Sequence, residues 1–373
     1  MTAPLVSGSA LVSGSALVTV DDYEAAARER LTPMAYDYYR SGADEEHTLR
    51  RNRDAFARYE IWYRTLVDVD APRLATTVLG DEVAFPILVA PTAYHRLACD
   101  EGERATVRAT ESVGSLYCAS TLATTSLEDV AAAAPSSRRW FQLYVHRDRD
   151  FTRRLVERAK TAGYRTIVVT VDTPVLGRRC ADVRNAFCLP DGMAMENLLD
   201  TLPPDIRQGQ GSELARFVAS RHDASFAWKD LETIVQHAAP LPVVVKGIAR
   251  PDDALRALDH GARAIWVSNH GGRQLDFGPA TLDALPEVVR AVGGRSEVYV
   301  DGGIRSGTHA LIALGLGARA VFVGRPVLWG LAVAGADGVA NVLALLRDEL
   351  TRAMQLAGCI DLAAARDDLI RRR

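Results

Sequence analysis

The chain has 373 residues, 48% of them hydrophobic and 24% charged, with a formal net charge of −3. That balance suits a globular protein with a sizeable core and offers no bulk basic field for nucleic acid or an anionic membrane. The five cysteines, Cys99, Cys118, Cys180, Cys188 and Cys359, include no CxxC pair. Neither a disulfide framework nor a metal site is therefore expected, and a reducing cytoplasm fits. No apolar run is read as approaching the roughly 20 residues that span a bilayer.

In chain order, LVSGSA occurs twice, at 5–10 and 11–16. Its Ser and Gly content predicts a flexible lead over residues 1–18, with no basic or long apolar stretch of a signal peptide. Residues 19–84 read as mainly helical, with extended pieces near 73–79, and are expected to cap one end of the domain that fills 19–373.

From residue 85 a short apolar run followed by a helical period recurs. The strand candidates are FPILVAP (85–91), SLYCAS (115–120), RWFQLYV (139–145), TIVVTVD (166–172), PVVVKG (242–247), AIWVSN (264–269), EVYVDG (297–302) and AVFVG (320–324). Near-continuous apolar runs suit strands covered on both faces. Helices are predicted at 101–114, 126–134, 149–163, 249–261, 281–294, 306–318 and 337–357, with Ser126 as an N-cap and Gly163 just past a C-terminus. Eight alternating units predict an α/β fold of the (β/α)8 TIM-barrel class. Residues 175–228 interrupt the repeat after the fourth strand. A loop of that length on the C-terminal face, where barrel chemistry sits, is expected to serve the active site.

The strand ends carry the chemistry. Gly302, Gly303 and Arg305 follow the seventh strand, and Gly324 and Arg325 the eighth, where exposed N–H groups, a helix start and arginines suit a phosphate. The spacing is not GxGxxG, so a Rossmann nicotinamide site is not inferred. His270 ends the sixth strand inside SNHGGRQ (268–274). A histidine exchanges a proton near neutral pH, and Arg179 and Arg273 offer planar forks suited to a carboxylate. Asp172 ends the fourth strand and needs a cationic or N–H partner, either His270 or an arginine. Lys246, ending the fifth, supplies a fixed charge able to stabilise an anion developing in a bound cofactor. Tyr144 and Tyr38 offer hydroxyl groups, although nothing in the pattern selects Tyr38 over Tyr36 or Tyr39.

At these residues the sequence resembles the FMN-dependent 2-hydroxy acid oxidases and dehydrogenases, a group that includes glycolate oxidase, lactate oxidase and mandelate dehydrogenase. The resemblance runs from about residue 20 to 360 through YDYYRSGADEEHTLRRN, APTA, WFQLYV, TVDTPVLGRR, LPVVVKGI, VSNHGGRQLD, VDGGIRSG and VFVGRPVLW. It implies that His270 is the base and Asp172 its orienting carboxylate. Arg179 and Arg273 would clamp the substrate carboxylate, Tyr38 and Tyr144 would bond its hydroxyl, and Lys246 would lie near flavin N1. Thr92, Ala93, Ser120, Gln142, Thr170 and Ser268 resemble flavin contacts, and Asp301, Gly303, Arg305, Gly324 and Arg325 the ribityl and phosphate site. Ala93 resembles the oxidases that react readily with O2, where other members carry Gly. Leu122, where plant glycolate oxidases carry Trp, and Tyr94 imply a substrate larger than glycolate. The reaction implied is oxidation of an (S)-2-hydroxy acid to the 2-oxo acid with O2 reduced to H2O2. A quinone- or protein-linked dehydrogenase and a decarboxylating lactate 2-monooxygenase remain open at this point. A homotetramer is implied by the same resemblance.

Overall fold

The computed structural model describes residues 11–12, 15–201, 222–365 and 368–373. Most of the lead, residues 1–10 and 13–14, lies outside them, as do residues 202–221 of the long loop. Within the lead, Leu11–Val12 pairs antiparallel with Ser15–Ala16.

Three helices precede the barrel: α1 (Val20–Arg28), α2 (Pro33–Arg40) and α3 (His47–Asp54). Eight parallel strands then close on themselves in chain order. They are β1 (Ile87–Val89), β2 (Leu116–Ser120), β3 (Arg138–Leu143), β4 (Thr166–Thr170), β5 (Val243–Ile248), β6 (Ala264–Val267), β7 (Glu297–Asp301) and β8 (Ala320–Val323). The connecting helices are α4 (Gly102–Ser112), α5 (Leu127–Ala133) and α6 (Arg149–Thr161), then α7 (Cys180–Arg184) and α8 (Trp228–Ala238) after β4. They continue with α9 (Pro251–Asp259), α10 (Thr281–Val292), α11 (Gly307–Gly315) and α12 (Arg325–Ala357). The expected barrel is therefore the observed one, with every strand within a few residues of its predicted span. Local chemistry sets the helix ends. Ser126 accepts from the Asp129 N–H, Asp148 from that of Phe151, and Gly163 takes φ of 77° just past α6.

The period of two along each strand sorts side chains into an outer set under the helices and an inner set filling the barrel. Leu88, Leu116, Cys118, Trp140, Val168, Val244, Trp266, Tyr299 and Phe322 form the inner core. Two residues further along the same inward rows stand Ser120, Gln142, Thr170, Lys246, Ser268 and Asp301, all buried. The barrel is thus apolar through its middle and polar at its C-terminal mouth.

Two expectations need correction. Residues 19–84 do not cap a single end. Residues of α2 and α3 reach the C-terminal mouth, whereas the hairpin Thr76–Val78/Asp81–Val83 closes the N-terminal end. Val78 and Val83 join the inner core, and buried Asp81 accepts from Trp140 Nε1 at 2.9 Å and pairs with Arg165 at 2.7 Å. The turn places Leu79 and Gly80 both at positive φ, a geometry that two-residue hairpins favour and that Asn-Gly or Asp-Gly signal more plainly. The second correction concerns apolar length. Helix α12 begins at Arg325, not 337, and by length and composition alone is long and apolar enough to cross a membrane. Of its most apolar stretch, 56% is buried, and α12 packs on α1, α4 and α11. Ala334 and Gly335 leave helical geometry and kink it, as glycine permits.

Trp140 fills the barrel and also ties it to the hairpin. Trp140→Ala is expected to cost about 3–5 kcal/mol, the range for emptying a large aromatic site. Denaturant unfolding should show a clearly lower midpoint, and an unchanged midpoint would contradict this packing.

Candidate active site

The mouth of the barrel opens into a cavity of about 560 Å³. Tyr38, Thr92, Ala93, Ser120, Leu122, Tyr144, Arg179, Lys246, His270, Arg273, Asp301, Gly303, Arg305, Gly324 and Arg325, all singled out from the sequence, line it. Gln142 and Ser268 do not line it, but each is hydrogen-bonded to a residue that does, Ser120 and Lys246 respectively. Thr170 instead lines a neighbouring cavity of about 450 Å³, and its hydroxyl has no partner.

His270 sits at φ of 58° in the turn after β6. Its Nδ1 lies 2.9 Å from Asp172 Oδ1, which also accepts from the Thr173 hydroxyl at 3.0 Å. Nε2 is left toward the cavity, 3.3 Å from the Tyr144 hydroxyl. Burial acts most strongly on both partners. It lowers the His270 pKa below its ordinary value, although Asp172 pulls the other way. For Asp172 the pull of His270, the Lys246 charge and the Thr173 hydroxyl together overcome burial and hold the carboxyl below its usual range. A neutral imidazole with Nδ1–H donated to a carboxylate and Nε2 free can accept a proton.

The supporting residues were not singled out from the sequence. Gly247, at φ of 108°, passes so close to Asp172 that a Cβ there would stand 2.7 Å from the Asp172 Cβ. Gln274 donates through Nε2 to the carbonyls of Asp172 and Val175, both at 2.9 Å, and accepts from the Gly177 N–H. It therefore locks the segment after β4 to the turn after β6. Asp276 accepts from the N–H groups of Glu45, His47 and Thr48 and anchors the start of α3. The signal for Gly247 was present as the glycine directly after Lys246; Gln274 and Asp276 stand in and just after the quoted VSNHGGRQLD stretch, but nothing in the pattern gave either a role.

Arg273 donates to the carbonyls of Tyr38 and Ser41 and lies 4.9 Å over the Tyr38 ring. The Tyr38 ring also stacks with Phe187 at 4.3 Å, so α2, the turn after β6 and the segment after α7 meet here. Arg179 faces the same cavity, with its Nε buried and unpartnered. Lys246 donates to Ser268 Oγ at 2.9 Å and pairs with Asp301 at 3.3 Å. Burial opposes its charge, but Asp301 and Asp172 raise its pKa above the ordinary value and keep it protonated.

On the far side, Gly302 and Gly303 take φ of 101° and 80°. A Cβ on Gly303 would lie 2.0 Å from the Asn52 carbonyl oxygen, so only glycine fits. Burial pushes the pKa of Arg305 down to about 10, and its Nε has no partner. Arg325, at the first position of α12, is held well below its ordinary value by burial and by the charges of Arg273 and Arg305. It donates to the carbonyls of Tyr39, Gly271 and Ser41. Two desolvated guanidinium groups beside a helix N-terminus and a glycine turn fit a phosphomonoester, and the polar ring with Lys246 fits an electron-accepting heterocycle. The residues present therefore suit FMN.

Comparisons with known proteins agree. The sequence matches the FMN-dependent dehydrogenase family over residues 27–372. The chain is 48% identical to human 2-hydroxyacid oxidase 1, covering 95% of this chain and 97% of that one. It is 50% identical to an L-lactate oxidase of Nostoc sp., covering 92% and 95%. A solved structure of mandelate oxidase with (S)-4-hydroxymandelic acid superimposes with a TM-score of 0.90 at 44% identity, covering 96% of this chain and 99% of that one. The chain belongs to the FMN-dependent dehydrogenase family. Within it, the chain falls among the FMN-dependent oxidases of 2-hydroxy acids.

If Arg305 meets the phosphate, Arg305→Leu removes a charge-assisted hydrogen bond of about 1.5–3 kcal/mol. FMN affinity, read from flavin fluorescence on titration, should fall roughly ten- to a hundredfold. Unchanged affinity would remove Arg305 from the phosphate site.

Proposed function

We propose that the chain oxidises a medium-sized, apolar (S)-2-hydroxy acid to its 2-oxo acid and that O2 takes the electrons to give H2O2. The observation that carries this reading is the meeting in one cavity of His270, backed by Asp172, with Arg179 and Arg273. FMN, when bound, supplies the two-electron acceptor. The chain's own residues do the rest. Arg179 and Arg273 bind the carboxylate, which fixes the neighbouring carbon. Tyr144 and Tyr38 orient the hydroxyl. His270 accepts one proton at Nε2, and Asp172 stabilises the imidazolium that results. Lys246 places a fixed positive charge beside the electron acceptor.

The substrate side chain meets Leu122, Tyr94, Val183, Ala186 and Phe187, all of which line the cavity. Tyr94 directs its hydroxyl to the Met195 sulfur at 3.5 Å, so the ring presents mainly its apolar body. This wall favours an aliphatic or aromatic side chain over the hydrogen of glycolate. The names of the relatives, which include L-lactate and mandelate oxidases, support that class. Ala93 at the cavity wall supports reaction with O2, through the resemblance to oxidases at that position.

A panel of glycolate and of both enantiomers of lactate, longer aliphatic 2-hydroxy acids and mandelate tests the proposal. Highest kcat/KM is expected for an (S) acid larger than glycolate, with one H2O2 per 2-oxo acid under air. Preference for glycolate would overturn the size argument, and turnover with a dye acceptor but little peroxide would overturn the oxidase reading.

A further inference from the structure

Asp182 lines the same cavity as Arg179 and Arg273, and the reaction proposed above gives it no role. Its carboxyl is largely enclosed, with 18% side-chain exposure. Oδ2 lies 3.8 Å from Arg179 Nη1, within reach of an ion pair but too far for a hydrogen bond. Among the described residues Oδ1 is buried without a partner, as is Arg179 Nε. The pairing is therefore loose on both sides.

The charged and titratable groups facing Asp182 come from several elements. Arg179 precedes it on the same segment, Arg273 comes from the turn after β6, and Asp37 from α2. Tyr94, on the loop after β1, also feels its charge, but burial holds that phenol far above neutrality. Asp37 is engaged by Asn185 Nδ2 at 2.8 Å. Burial raises the Asp182 pKa most, the two arginines oppose this, and Asp37 adds to it, leaving it above the ordinary value. Arg273 in turn is pushed down to about 10, by burial and then by Arg179. Two guanidinium groups thus repel each other across a cavity and share one poorly held counter-charge.

A 2-hydroxy acid brings a second carboxylate to the same two arginines. Like charges brought close together repel strongly in a partly enclosed site, and one of two carboxylates sharing a site is driven to its neutral form. We propose that Asp182 is the resident counter-ion of the Arg179–Arg273 pair and that the substrate carboxylate displaces it, Asp182 taking up one proton from solvent as it gives way. No other bond forms or breaks. Binding is then linked to pH, with sign fixed by the uptake: affinity is greatest where Asp182 is readily protonated and weakens as pH rises. The inference rests on the arginine pair being the carboxylate site.

2-Hydroxy-2-methylpropanoate tests it, because it has the carboxylate and hydroxyl but no α-hydrogen to lose. Its binding to the FMN-loaded enzyme is followed by calorimetry in two buffers of different ionisation heat between pH 6 and 8. The wild type should take up as much as about one proton per ligand, with Kd rising by up to about tenfold per pH unit. Asp182→Asn should abolish the uptake, flatten the profile and bind about tenfold tighter than wild type at pH 8. Binding to the wild type without uptake, or the same uptake in Asp182→Asn, would overturn the counter-ion role alone. Because His270 faces the same cavity and could also gain a proton, the variant assigns the uptake, with Asp182→Ser in reserve should Asp182→Asn fail to fold. Absence of any binding to the wild type would overturn the arginine-clamp reading and this inference with it.

Discussion

Asp172 is an ion buried at the mouth of a barrel, with one oxygen accepting from His270 and Thr173 and the other without a partner. Such a group persists only where nearby positive charge offsets its desolvation. Lys246 supplies that charge, and the N–H of His270 and the Thr173 hydroxyl donate to the carboxylate. The surrounding backbone is shaped to let them. Gly247 gives Asp172 room that no side chain would leave, and Gln274 binds the two segments that carry Asp172 and His270. The geometry of the proton acceptor is therefore a property of two strand ends held in register, with the imidazole fixed by the carboxylate behind it.

The same mouth holds more positive than negative charge close to the cavity. Lys246 has Asp301 as a partner, whereas Arg305 and Arg325 are desolvated beside each other, and among the described residues Arg179 and Arg273 share the loosely placed Asp182 as counter-charge. This imbalance divides the cavity by ligand chemistry. One arginine pair faces the glycine turn after β7 and suits a phosphate; the other faces the His270–Asp172 pair and suits a carboxylate. Between them Ser120, Lys246 and Asp301, backed by Gln142 and Ser268, offer donors and acceptors to a heterocycle. The anions that complete the site arrive with the ligands, which ties affinity for each ligand to the repulsion it relieves.

Much of this was legible in the sequence because a closed barrel repeats one local rule. Apolar runs of four to six residues, each followed by a helical period, set the strand register, and the register alone places polar residues such as Lys246 and Asp301 at the mouth. What was not legible depends on the third dimension. The hairpin at 76–83 closes the opposite end through Leu79 and Gly80, a turn without the usual Asn-Gly signal. Helix α12 was read short because the kink at Ala334–Gly335 interrupts its period. Gly247, Gln274 and Asp276 act through close approach and backbone hydrogen bonds between segments distant in sequence, and Asp182 gains meaning only from facing two arginines. Tyr38 could not be chosen over its neighbours by pattern. In the fold, Tyr39 turns its hydroxyl to the Tyr94 carbonyl while the Tyr38 ring meets both Arg273 and Phe187.

The central claim is that His270, oriented by Asp172, accepts the substrate's proton. Rapid mixing of FMN-loaded His270→Ala with the preferred substrate, without oxygen, tests it most directly through the rate at which flavin absorbance bleaches. The account predicts a fall of about a thousandfold or more, with FMN still bound and the affinity for a non-reacting hydroxy acid within a few-fold of wild type. Bleaching at close to the wild-type rate would contradict it.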